Sequence, residues 1–68
     1  MEKRTHLEYG YTLMNGAQMA DPWVDTYNTI QDRINSFIDE NMPVPEYLLH
    51  ASHTFMFNCI EITNKGKN

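Results

Sequence analysis

Asp25, Asn28, Asp32, Asn35 and Asp39 recur at intervals of 3, 4, 3 and 4. On a helix that spacing draws five polar side chains into one line, expected to face nearly opposite the apolar stripe that starts at Trp23, toward solvent. Successive aspartates then stand about 10.5 Å apart, seven residues at 1.5 Å each. Only Arg33 offers a compensating charge in the same stretch. Asp39 and Glu40 also crowd its C-terminal end, where the helix dipole disfavours anions by roughly 0.3–1 kcal/mol. An ordinary solvated face accounts for such a line, since surfaces are mostly charged. A row of unpaired carboxylates also suits a surface that meets a basic partner, such as a nucleic-acid-binding site on another protein whose phosphate ligand it would imitate.

Glu46, His50 and His53 sit at i, i+4 and i+7. On one helical face they can offer two imidazoles and a carboxylate to a divalent ion. A structural zinc needs three or four ligands with outer support, and the fourth is missing unless His6 folds over. Polar residues at the edge of a buried helix are the simpler account, so no metal is expected. Catalysis has less support. Ser36 and Ser52 lack a nucleophile context, no glycine-rich phosphate loop is present, and Cys59 falls on an apolar line, where a free cysteine is usually a small core residue. The chain is not expected to be an enzyme or to carry a cofactor.

Tyr9, Tyr11, Trp23, Tyr27 and Tyr47 are many amphipathic aromatics for so short a chain. Core packing is one use for them. An interface is a second, because Tyr and Trp bury area at low entropic cost. A pocket for a planar ligand such as a nucleotide is a third, with Arg33, Arg4 or Lys3 on the phosphate.

Charge narrows these readings. The net charge is −4 over 68 residues. Four of the five bases lie in the first four or last four positions, so residues 5–64 carry eight acids and one base, or −7. Direct nucleic-acid binding, which needs Lys and Arg to displace counterions, is not expected. No apolar run approaches the roughly 18 residues of a membrane span, and no basic start leads into an apolar stretch as in a secretory signal. A lone cysteine allows no intrachain disulfide and suits a reducing, cytoplasmic setting.

Three segments must position these groups. In residues 6–13, Leu7, Tyr9, Tyr11 and Leu13 alternate at period two, the mark of a half-buried strand. Asn15-Gly16 then predicts a tight turn with a short return over Ala17–Ala20. Thr5-x-x-Glu8 offers a rival helix start, opposed by Gly10 and Gly16. In the second segment Asp21 is a candidate N-cap and Pro22 a first helical residue. Trp23, Tyr27, Ile30, Ile34 and Phe37 form an apolar stripe, with Ile38 beside it, on a helix to about Glu40. Asn41 can take the left-handed position past its end, and Pro43 and Pro45 stiffen the connection. The third segment, about 45–64, reads as a helix with two apolar lines: Leu48, Ser52, Phe55, Cys59, Ile62 and Leu49, Met56, Ile60. So broad an apolar surface wants partners on more than one side.

The expectation is a single domain over 1–68 with frayed ends at 1–4 and 65–68. Its fold class is α+β, mainly helical: an N-terminal strand or hairpin, then an antiparallel helix pair. An all-α three-helix fold is the alternative. A core this small rarely supplies more than roughly 3–5 kcal/mol, which favours a dimer. The leading function is a non-catalytic intracellular protein-binding module that inhibits or modulates a larger partner, a type that suits a phage or mobile-element accessory protein. A nucleotide binder or sponge at a dimer interface is the first alternative. A metal-binding regulator is the second.

Overall fold

The chain folds as a helical hairpin with an irregular N-terminal segment wrapped on it. The computed structural model describes residues 2–66, with side chains as far as Thr63. Helix α1 spans Asp21–Asp39 and helix α2 spans Glu46–Gly66. No strand forms among the described residues, and none of their helices is long and apolar enough to cross a membrane.

Each end of α1 has a local cause. Ala20, in extended geometry and without a side-chain cap, is the N-cap, so Asp21 is the first helical residue and not the cap. There its carboxylate faces the positive end of the helix dipole. Pro22 costs nothing in the first turn, where its missing N–H has no intrahelical acceptor. At the other end Asn41 adopts φ +57°. Its N–H donates to the Ile38 carbonyl at 3.0 Å and that of Met42 to the Phe37 carbonyl at 2.9 Å. Those two bonds are a Schellman closure, with Asn41 in the left-handed position the sequence predicts. Residues 40–45 then return the chain into α2.

The helices pack in antiparallel register. Val24 shares a core cluster with Cys59, and Tyr27 meets Phe55 with ring centroids 6.4 Å apart. Val24, Gln31 and Ile34 are the buried residues of α1; Leu48, Ser52 and Cys59 are those among the described side chains of α2. Trp23, Tyr27, Ile30, Phe37 and Ile38 are only half-buried. At 100° per residue, the buried line of α1 is turned about 65° from the stripe that the hydrophobic spacing predicts. Val24 and Gln31 were outside that stripe. On α2, Leu49, Phe55, Met56 and Ile60 are half-buried, while Tyr47, Phe57 and Ile62 are exposed.

The expected strand over 6–13 gives way to two short pieces joined at Gly10, whose φ of +85° suits glycine. Residues 11–19 form a miniature hairpin with one isolated antiparallel bridge, Thr12 to Gln18. The Leu13 N–H donates to the Ala17 carbonyl at 2.7 Å and the Met19 N–H to that of Tyr11 at 2.8 Å. Asn15 accepts from the Ala17 N–H at 3.0 Å and donates to the Ile60 carbonyl at 3.1 Å, which ties the turn to α2. Leu13 and Met19 thereby close the open end of the helix pair against Val24 and Cys59. Residues 3–9 run along α1. Within the start expected to fray, Lys3 and Arg4 are both bonded to that helix, and residue 1 lies outside the described residues. At the other end, residues 67 and 68 lie outside the described residues, and the backbone of 65 and 66 completes α2.

Candidate polar ladder on the first helix

The line Asp25, Asn28, Asp32, Asn35, Asp39 lies about 95° around α1 from its buried line, beside the core and not opposite it. Asn28 and Asn35 fall nearest the core and are half-buried, whereas the three aspartates are exposed. Residues 3–9 of the same chain occupy this line from end to end.

Two kinds of contact alternate along it. Asn35 accepts from the Arg4 N–H at 2.6 Å and donates to the Arg4 carbonyl at 2.9 Å. Asn28 does the same for Leu7, at 2.8 and 2.9 Å. Each asparagine amide thus treats one residue of the segment as a neighbouring strand would, exchanging both backbone bonds with it. Between these grips the aspartates take side chains. Lys3 Nζ meets Asp39 at 2.5 Å, His6 Nε2 meets Asp32 at 2.5 Å, and the Tyr9 hydroxyl donates to Asp25 at 2.7 Å. The Tyr9 hydroxyl is held above its ordinary pKa of 10.0, first by that hydrogen bond and then by the negative charge of Asp25. Thr29 and Ser36 donate to the carbonyls of Asp25 and Asp32 on the same helix.

The match of periods explains the docking. The segment presents side chains and backbone groups every third residue, the repeat of polyproline II and not the two of a strand. Three such residues advance about 9.3 Å at 3.1 Å each. Seven helical residues advance about 10.5 Å. The two repeats stay in step across three aspartates with a lag of about 1 Å per repeat. The sequence held this signal as Lys3-x-x-His6-x-x-Tyr9 opposite a seven-residue aspartate spacing. The period-two alternation of Leu7, Tyr9, Tyr11 and Leu13 overlies it.

The other candidate residues disperse. Trp23 and Tyr27 pack against the core cluster, while Tyr9, Tyr11 and Tyr47 are exposed. Glu46, Tyr47, Leu49, His50 and His53 line an open concavity of about 690 Å³ on α2. His53 stands edge-on to Phe57, with centroids 4.7 Å apart. Among the described residues no three His, Cys, Asp or Glu side chains come together to hold a metal ion. Among the described residues no Lys or Arg lines the concavity; Lys3 and Arg4 are bonded to residues of α1 and Arg33 is exposed. Cys59 is buried, and burial pushes its thiol pKa up, away from the reactive thiolate.

Comparison of the chain with protein-family models, with curated proteins and with solved structures finds no match in any of the three.

Proposed function

We propose that this chain is a non-catalytic intracellular protein-binding module that inhibits or modulates a larger partner, and that the polar ladder of α1 is its contact surface. One observation supports this reading above the others: the ladder already holds residues 3–9 through the Lys3 ammonium, the His6 ring, the Tyr9 hydroxyl and the backbone of Arg4 and Leu7. A surface able to dock that segment has the chemistry to dock a basic segment of another protein.

Capture of a purified basic partner is the test. Asp25→Asn, Asp32→Asn and Asp39→Asn together weaken the complex at least tenfold and flatten its salt dependence. Unchanged affinity and unchanged salt slope overturn the reading. Self-association belongs to the same proposal. Tyr47, at 68% exposure, and Phe57, at 53%, leave an apolar outer face on α2. Light scattering across a concentration series checks it, with a mass that stays monomeric as the contrary result.

A further inference from the structure

We infer that the ladder recognises an extended peptide with a donor side chain at every third residue, and that residues 3–9 are a tethered competitor that such a peptide displaces. The inference rests on the proposed function and specifies its partner.

The contacts fix what the occupant must be. Asp39, Asp32 and Asp25 meet Lys3, His6 and Tyr9, so positions i, i+3 and i+6 need hydrogen-bond donors, and cations suit three carboxylates. Asn35 and Asn28 use both backbone groups of Arg4 and Leu7, so positions i+1 and i+4 need free N–H groups and exclude proline. Position i+2, occupied by Thr5, is exposed and has no such demand. Proline there is compatible with the three-residue repeat, because it favours extended backbone at itself and its predecessor. The partner is therefore a protein with an extended basic loop or tail of the form basic-x-x-basic-x-x-donor.

The built-in segment is suited to release. Its Lys3–Asp39 ion pair and its His6–Asp32 hydrogen bond are exposed, with side chains about half accessible, and exposed polar contacts contribute little. Leu7 is its one apolar residue packed against the core cluster. Tethering nonetheless gives the segment a high effective concentration, so an incoming peptide must outbid it or arrive with more charge.

The experiment uses the full chain and a labelled ten-residue peptide copying residues 1–10, read by fluorescence anisotropy. Lys3→Glu with His6→Glu in the protein repels the tethered segment and leaves the ladder intact. The peptide then binds this variant at least tenfold more tightly than the wild-type chain. Lys3→Ala with His6→Ala serves as a milder second background, with a smaller gain in the same direction, and circular dichroism confirms helicity in each. Within the peptide, Leu7→Pro weakens binding about tenfold although every charge is kept, whereas Thr5→Pro does not weaken it.

Equal loss from both prolines, or loss from neither, overturns the inference, because binding would then not depend on which backbone positions the two asparagines grip. No gain in either background overturns it as well. A dimer that excludes the peptide makes a second copy the occupant and overturns it too. The two readings fail separately. If the triple Asp→Asn change weakens the protein complex while the prolines are not distinguished, the acidic face stands and the peptide code falls.

Discussion

Helix α1 is attached on two sides by opposite physics. Towards α2 it offers Val24, Gln31 and Ile34, all buried, in contacts that are mostly apolar and non-directional. Towards residues 3–9 it offers Asp25, Asn28, Asp32, Asn35 and Asp39, in contacts that are polar and fixed in register. Apolar burial stabilises whatever packs well. Paired amides specify one position of one backbone against another. The comparison separates what holds this small molecule together from what selects its occupant.

The largest effect lies on the apolar side. Ile34 is fully buried, and Ile34→Ala costs about 2–5 kcal/mol. That is close to the whole stability of a chain this size. Urea denaturation followed by circular dichroism measures it. A cost below about 1 kcal/mol would break the contrast, since a fully buried isoleucine normally costs more.

On the polar side Asn35→Ala removes the paired bonds to Arg4 and costs about 1 kcal/mol, because the freed groups are near enough to solvent to find water. Hydrogen exchange sharpens the point. The Arg4 and Leu7 amides lose protection while those of α1 and α2 keep it. Parallel loss in the helices would show that the two sides act as one unit.

Gln31 is the exception within the apolar side. It is 3% exposed, and its Oε1 accepts no hydrogen bond among the described residues. Ser52, also buried, donates to the Leu49 carbonyl. Replacing Gln31 by Leu therefore stabilises the chain by up to about 1 kcal/mol, seen as a raised Tm, since an unpartnered buried acceptor is costly. A lowered Tm would assign Gln31 a polar role in the hairpin.

The smallest effect is at the ladder's far end. Tyr9 titrates above 10.0 in the folded chain because its neutral hydroxyl donates to Asp25. A raised folded-state pKa means the bond contributes fully below the unfolded value and is lost as pH rises through the folded one. Ultraviolet difference titration shows this, and Asp25→Asn returns the tyrosine towards 10.0.

Much of the helix pair was legible in the residues. The apolar spacing from Trp23 to Phe37 gave α1, and Asn41 with two following prolines gave its stop, because both signals are local. The rotation of α1 was not legible. Val24 and Gln31 turn inward only because α2 and the 11–19 turn approach from that side, and a helix pattern does not record where neighbours lie. The absence of the expected strand over 6–13 has a related reason. Leu7, Tyr9, Tyr11 and Leu13 do alternate, but Gly10 turns the chain between them, leaving Tyr9 and Tyr11 exposed. The five ladder residues were visible as a line, and their neighbours were not.

By itself, then, the sequence determined two helices, their stops and the polar line along the first, since these follow from spacing within 20 residues of chain. Tertiary structure alone decided that residues 3–9 lie on that line. Lys3 and Asp39 are 36 positions apart. Whether a three-residue repeat falls in step with a seven-residue one is settled only when the chain folds back and the two are laid side by side.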